Sequence, residues 1–297
     1  MKRVLLIVNP RASEVTDGRI RAVERELGSV GSVATVRTER PGHATEVVRA
    51  WGDVDAIVVF SGDGGFNEAV NGADGKIPFG FVPGGRTNVL TRALGLSRNA
   101  GDAARVVADA LERERTRRIS LGRVNGRRFA FNSGIAFDAE LVRRVEALGR
   151  SEDGRRAGDL AFLWTTARFF GERRARFEPV LEVRGLGRAA FLFVANTDPY
   201  TYVGAVAIHA SRAARFELGL DVVGPVRTSA LSLPRLFAYA LTGRGQERAP
   251  DLLYGHDLDR IEVECDRPLP LQADGEDLGD VERALFECER DALPVLV

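Results

Sequence analysis

Ala56-Ile57-Val58-Val59-Phe60-Ser61-Gly62-Asp63-Gly64-Gly65-Phe66-Asn67-Glu68 is the stretch on which the fold turns. Its five opening residues, Ala56 to Phe60, are apolar without interruption, the mark of a strand covered on both faces as in a parallel sheet. A helix opens from Phe66 to Asn71. Between the two lie three glycines around an aspartate. Backbone N–H groups in such a loop can approach a polyphosphate closely, and the following helix N-terminus adds positive dipole. A tight strand-to-helix turn that needs glycine for positive φ is the other reading of the same letters.

The pattern repeats on either side. Arg3 to Val8 is a second continuous apolar run, and Gly18 to Leu27 places Ile20, Val23 and Leu27 at helical spacing. Ser32 to Arg37 alternates as a strand, Ala44 to Trp51 is helical, Phe79 to Val82 is a short strand and Asn99 to Leu111 a helix. Such alternation predicts an open, mostly parallel α/β sheet, whose ligands bind beyond the carboxyl ends of the strands. Four polar loops fall at those ends: Asn9-Pro10-Arg11-Ala12-Ser13, Thr38 to His43, Ser61 to Gly65, and Pro83-Gly84-Gly85-Arg86-Thr87-Asn88. Packing alone does not call for four polar loops at one edge, so a nucleotide site is expected there.

After about Arg117 the pattern becomes antiparallel. Ile119 to Val124 and Arg128 to Asn132 flank Asn125-Gly126, a two-residue hairpin signal. Further strands are expected at Val180 to Arg184, Ala189 to Ala195, Leu220 to Val223, Arg260 to Cys265, Leu269 to Ala273 and Ala284 to Glu287. Helices are expected at Ala139 to Ala147, Gly158 to Phe170 and Leu233 to Leu241.

Composition bounds the function. The 297 residues carry 42 Lys+Arg against 42 Asp+Glu and are 44% hydrophobic, which suits two soluble domains and excludes disorder. The early apolar run Val4 to Val8 is too short for a signal peptide or a membrane span, so a cytoplasmic protein is expected. Cys265 and Cys288 imply no disulfide framework, and the three histidines leave no zinc spacing. The neutral sum is uneven: Arg113 to Arg176 holds sixteen Arg and eight acids, whereas Gln246 to Val297 holds five Arg and fifteen acids. Either the basic stretch is a solvated face or it meets phosphate or a membrane. Neither lysine, Lys2 or Lys76, lies in a glycine loop and no GxxxxGK[ST] is present, which removes a Walker-type NTPase. Dinucleotide, protein-kinase and GxSxG signatures are absent as well.

Two further segments carry chemistry. Gln272-Ala273-Asp274-Gly275-Glu276-Asp277 gathers carboxylates that suit a metal site or a general base in phosphoryl transfer, although an acidic Asp-Gly turn is the simpler reading. Asn132 to Asp138 leads into a helix, where Asp138 either caps it or holds a hydroxylated substrate. Downstream, Arg143, Arg144, Arg150, Arg155 and Arg156 precede Leu160, Leu163, Trp164, Ala167 and Phe170 at helical spacing. That stripe reads as core, or beside the arginines as a means of lifting an amphiphile from an anionic membrane.

With these residues in view, the sequence resembles the diacylglycerol kinase catalytic-domain family, which includes bacterial lipid kinases and sphingosine kinases. The resemblance rests on Asn9-Pro10, Thr38 with Gly42-His43-Ala44, and Ser61-Gly62-Asp63-Gly64 followed by Asn67-Glu68 and Asn71-Gly72. It continues through Pro83-x-Gly85-x-x-Asn88, Gly134 to Asp138 and Asp274-Gly275-Glu276. It implies an α/β nucleotide-binding domain over 1–118, rejoined by about 288–297, and a C-terminal antiparallel β-sandwich lipid-binding domain over 119–287 with inserted helices. A cleft between them would hold ATP and lipid. Asn9, Arg11, Thr38, Ser61, Gly62, Asp63, Gly64, Gly65, Asn67, Glu68, Gly85, Arg86, Thr87 and Asn88 would bind the nucleotide. Asp63 would act through Mg2+ and water, Asp274 would take the acceptor proton with Glu276 beside it, Asp138 would recognise the head group, and Arg143 and Arg144 would neutralise charge. The implied partners are ATP, a lipid alcohol and, transiently, an anionic membrane at the inner face, with no nucleic acid. Oligomeric state is silent.

Departures from the family pattern are Gly65 where most members have Thr, Arg86 where Thr or Ser is usual, and Leu218 in place of a glycine near Glu217 and Asp221, which stand where some members hold a structural magnesium. A nucleotide-binding regulator without catalysis and an NAD-kinase-like enzyme are the competing readings.

Overall fold

Buried apolar strands and the helices between them build the first of two compact units, Met1–Leu121 with Arg290–Val297; the second is Gly122–Glu289. The computed structural model describes residues 1–147, 159–172 and 175–297. In chain order the first unit comprises β1 (Lys2–Val8), α1 (Asp17–Gly28), β2 (Gly31–Arg37), α2 (His43–Ala50), β3 (Ala56–Ser61), α3 (Asp63–Gly72), β4 (Phe79–Pro83), α4 (Val89–Ala93) and α5 (Ala100–Glu112). β5 (Thr116–Val124) then carries the chain onward.

The strands run β4-β3-β1-β2, all parallel, with Val4 beside Ala56 and Ile57 beside Phe79. The uninterrupted apolar letters of β1 and β3 have their physical cause here: Val4, Leu6, Val8, Val58 and Phe60 pack against Ile20, Val23 and Leu27 of α1 and Ala104, Val107 and Leu111 of α5. Each large side chain so buried contributes about 2 kcal/mol. Thr16 caps α1 by accepting from Arg19 N, and Asn99 caps α5 by accepting from Gly101 N and Asp102 N.

The second unit continues with β6 (Arg127–Phe129), β7 (Asn132–Ile135), α6 (Phe137–Ala147), α7 (Asp159–Glu172), β8 (Leu181–Val183), β9 (Gly187–Ala189), β10 (Leu192–Ala195), β11 (Thr201–Val203) and β12 (Val206–Ile208). It ends with β13 (Leu220–Pro225), α8 (Leu233–Thr242), β14 (Leu252–Leu258), β15 (Arg260–Ala273) and β16 (Glu276–Leu296), whose last residues return to the first unit beside β4. Its strands follow the order β14-β13-β10-β7-β15-β16 and pair antiparallel. Asn125 (φ 47°) and Gly126 (φ 89°) both take the left-handed conformation that the Asn-Gly hairpin signal requires.

Local sequence misplaced some boundaries. The strand expected over 128–132 breaks at Ala130-Phe131, and that over 189–195 breaks at Ala190-Phe191, where Ala190 N donates to Pro225 O instead of a ladder partner. The two strands expected at 260–265 and 269–273 are one, β15, with its register shifted between Glu264 and Leu269. α4, β14 and the β11–β12 hairpin carried no periodic signal of their own.

Candidate functional site

In the first unit backbone hydrogen bonds knit the polar strand ends together. Thr38 N donates to Val8 O at 2.8 Å, Asn9 N to Phe60 O at 3.1 Å, Gly84 N to Ser61 O at 2.7 Å and Glu14 N to Gly84 O at 2.8 Å. Gly62 and Gly85 meet backbone to backbone, so that a Cβ on Gly85 would lie 2.9 Å from Gly62 Cα. The Asp63 carboxylate accepts from Val89 N at 3.0 Å and Leu90 N at 3.3 Å, fastening the first turn of α3 to that of α4. Asn88, at φ 50°, closes the second loop by accepting from Gly85 N at 2.8 Å.

Two observations favour phosphate at this edge over a merely tight turn. Nothing lies within 4 Å of a Cβ built on Gly64, so the start of α3 is open in front. Beside it the Ser61 side chain is 1% exposed and its Oγ has no hydrogen-bond partner. A buried hydroxyl without a partner costs about 1–3 kcal/mol, which a phosphate oxygen accepting from it would offset. Triphosphate therefore fits the residues present. Among the described residues no three His, Cys, Asp or Glu side chains cluster to cage a metal. A magnesium ion carried on a triphosphate needs only one or two carboxylates plus water, and Asp63 is the carboxylate of this loop.

The other expected nucleotide residues divide. Asn9 Oδ1 accepts from Arg11 N at 3.0 Å, which fixes the turn after β1. Arg11 and Arg86 are exposed, and Thr38, Thr87 and Glu68 are half-buried. Asn67 is buried within α3, its Oδ1 accepting from Asn71 Nδ2 at 3.1 Å, so it supports the helix rather than fronting the loop. Glu68 O accepts from Thr45 Oγ1 at 2.6 Å and ties α2 to α3.

The second unit holds a separate polar cluster at the tip of β15 and β16. Asp274 (φ 49°) and Gly275 (φ 79°) form the turn, and the buried Asp274 carboxylate accepts from Ala130 N at 2.7 Å, Phe131 N at 3.0 Å and Asn132 N at 3.2 Å. These bonds break the expected strand at 130–131. The turn and the chemistry-bearing carboxylate are thus one feature. Glu276 faces Arg127 at 2.5 Å. Asp138 does not cap α6, which starts at Phe137; its Oδ2 lies 2.6 Å from Tyr200 Oη and accepts from Gln272 Nε2 at 2.6 Å. Gly134 must lack a side chain, because a Cβ there would sit 2.7 Å from Asp138 Oδ2. Tyr200 was not legible as a site residue, and Gln272 stood in the quoted motif without a role.

Burial raises the Asp138 pKa, with the Tyr200 and Gln272 hydrogen bonds opposing part of the rise. Burial and the neighbouring Asp138 charge push the Tyr200 hydroxyl well above its ordinary value. The folded protein thus holds the Asp138 proton to higher pH than the unfolded chain does. Its contribution to stability falls as pH rises from the ordinary aspartate range through the raised value. Asp138→Asn is expected to flatten that part of the profile and to raise stability near neutrality, as read by urea midpoints across the interval.

Several described arginines of the basic stretch are paired inside the second unit. Arg143 makes a bidentate pair with Asp277, Nε at 2.8 Å and Nη2 at 3.0 Å, and reaches Asp280 at 2.7 Å. Arg144 pairs with Glu140 and Glu172, both at 2.8 Å, and lies over the Phe169 ring. These carboxylates hold both guanidinium groups in the charged form. Arg143 and Arg144, expected to neutralise substrate charge, here lock α6 to β16 and α7. Arg123 and Arg128 both bind Glu289 in the same way. Arg150, Arg155 and Arg156 lie outside the described residues. Asp221, fully buried, accepts from Ser211 Oγ at 2.5 Å and from Asp257 N at 3.0 Å, and lies 2.7 Å from His256 Nδ1; Glu217 is exposed. Protein donors thus satisfy the buried Asp221 carboxylate.

The first unit thus carries paired glycine loops at the ends of a parallel sheet, and the second carries buried carboxylates in an antiparallel one. Residues 3–124 match the diacylglycerol kinase catalytic domain. A diacylglycerol kinase of Bacillus subtilis is 34% identical over 149 residues, 48% of either chain, and this chain matches its curated relatives over about half their length. A crystal structure of a diacylglycerol kinase from Bacillus anthracis superposes with a TM-score of 0.73 at 19% identity, covering 99% of this chain and 96% of that one. An NAD kinase from Archaeoglobus fulgidus in complex with ATP gives 0.53 at 12% identity, over 99% and 93%. Both structures share the fold, and the fold alone leaves the acceptor open.

Proposed function

We propose that this protein transfers the γ-phosphoryl group of ATP to the hydroxyl of a lipid alcohol such as a diacylglycerol or a sphingoid base. The observation that carries the reading is the glycine-loop edge of the first unit, open in front of α3 and backed by the unpartnered Ser61 hydroxyl. The match over residues 3–124 supports the lipid branch.

The chain's own groups divide the work. N–H groups at the start of α3 and the Ser61 hydroxyl donate to phosphate oxygens, and the Gly62–Gly85 contact lets the backbone close on them. Magnesium bound with the nucleotide would supply charge neutralisation, with Asp63 as its loop carboxylate. Asp274 accepts the acceptor's hydroxyl proton. In a loose phosphoryl-transfer transition state that proton becomes acidic late, so a fixed orientation matters more than basicity, and three backbone N–H groups fix Asp274. Asp138, held by Tyr200 and Gln272, binds the acceptor head group.

The test is transfer of labelled γ-phosphate to a panel of diacylglycerols, sphingoid bases and other lipid alcohols with magnesium and ATP. Label is expected on one lipid class. Label on NAD instead would move the protein to the other branch, and calorimetric ATP binding without turnover on any acceptor would make it a regulator.

A further inference from the structure

Helix α8 reverses the usual arrangement of a surface helix. Pro234, Phe237, Ala238 and Leu241 recur at i, i+3, i+4 and i+7, the spacing that normally faces a core, yet all four are exposed and α8 buries no residue. Leu231, one turn ahead, is 94% exposed, Phe237 48% and Leu241 53%. The helix is nevertheless held in place. Its inner side packs on β12, where His209 N donates to Ala240 O at 2.7 Å, and the buried Gln246 donates to Tyr239 O at 3.3 Å. At its end Gly243 takes φ 62° against the Arg212 side chain. Val206, at the tip of the hairpin on which α8 packs, is 52% exposed and extends the apolar surface.

Most of the positive charge around this stripe is uncommitted. From Val222 to Pro250 there are four arginines and one acid, Glu247. Arg235 is paired with Asp251, but Arg227, Arg244 and Arg248 form no ion pair with any described residue. Of the arginines that the sequence offered as a membrane-facing group, Arg143 and Arg144 are paired internally, and Arg150, Arg155 and Arg156 lie outside the described residues. Among the described residues no helix is long and apolar enough to cross a membrane. An outward apolar stripe with flanking free arginines is the pattern of a segment that lies in the plane of an anionic bilayer, apolar side at the acyl boundary and guanidinium groups at the phosphates.

We infer that α8, with Leu231 before it and Val206 beside it, is the surface on which this protein docks to anionic phospholipid. The inference rests on the lipid-kinase reading for its purpose, since the acceptor must be reached at a bilayer, but it is tested separately. Flotation with vesicles of phosphatidylcholine and phosphatidylglycerol in equal parts, against phosphatidylcholine alone, is expected to show binding that prefers the anionic vesicles and weakens with salt. Arg244→Gln/Arg248→Gln should lower partitioning by roughly 25-fold, about fivefold per arginine, and Phe237→Ser/Leu241→Ser by a similar factor. Both variants are expected to keep the wild-type melting temperature and wild-type turnover on a short-chain, water-soluble acceptor. Vesicle binding unchanged in either variant overturns the inference. So does light scattering that shows a dimer lost in Phe237→Ser/Leu241→Ser, which would make a second copy the occupant. Absence of phosphotransfer with vesicle binding intact would refute the kinase reading and leave this one standing.

Discussion

Asp274→Asn is expected to lower phosphoryl transfer by about 10²–10⁴-fold and, separately, to loosen the second unit by about 1–3 kcal/mol. The two losses have different causes. The first follows from removing the group proposed to take the acceptor's proton. The second follows from geometry alone: Ala130 N, Phe131 N and Asn132 N all point at the carboxylate, and an amide that replaces one oxygen by an NH2 group leaves at least one of these donors facing another donor. Urea denaturation reads the second effect, and single-turnover transfer corrected for the folded fraction reads the first. Asp274→Glu separates them further, since it keeps a proton acceptor but cannot hold three donors from one methylene further out. Transfer per folded Asp274→Asn molecule within a few-fold of wild type would leave Asp274 a structural clamp and nothing more.

That clamp also shows where sequence stops being informative. The parallel half was legible because its strands are covered on both faces, so burial writes an unbroken apolar run such as Val4 to Val8 or Ala56 to Phe60. Its loops were legible because a close backbone approach, Gly62 against Gly85, leaves glycine as the residue that fits. α4 escaped notice because its five residues are organised from outside, by the Asp63 carboxylate on Val89 N and Leu90 N. The break at Ala130-Phe131 is likewise imposed by Asp274, far along the chain, and nothing local announces it.

Charge behaved in the same way. A count along the chain found a basic stretch and an acidic one, but only coordinates could pair Arg123 and Arg128 with Glu289, Arg127 with Glu276 and Arg143 with Asp277. Part of the neutral total is thus a set of ion pairs within the second unit. Among the described residues, Arg227, Arg244 and Arg248, close to α8 in the chain, are left without an ion pair.

Gly65→Thr restores the residue usual in the resembled family and is nevertheless expected to damage this protein. A Cβ at position 65 would collide with Ser61 Oγ and lie 2.7 Å from Ser61 Cβ. Ser61 cannot retreat, because it ends β3 in register with Pro83 and its carbonyl accepts from Gly84 N at 2.7 Å. The first turn of α3 must move instead, straining the bonds from Gly65 N and Phe66 N to Gly62 O. Overpacking of this kind costs about 1–3 kcal/mol, and the displaced turn is the one proposed to hold phosphate, so ATP affinity should fall with stability. Ser61→Gly/Gly65→Thr removes both obstructing atoms and returns a hydroxyl to the same space, and it should recover most of each loss. Ser61→Ala tests whether that hydroxyl has a function. Deleting a buried, unpartnered group should leave the melting temperature equal or higher, while ATP binding measured by calorimetry should weaken about tenfold or more, the equivalent of a lost hydrogen bond to a charged group. The two quantities moving in opposite directions is the signature of a residue kept for a ligand. Unchanged ATP affinity in Ser61→Ala would reduce Ser61 to a packing residue whose bulk explains Gly65 and whose hydroxyl explains nothing.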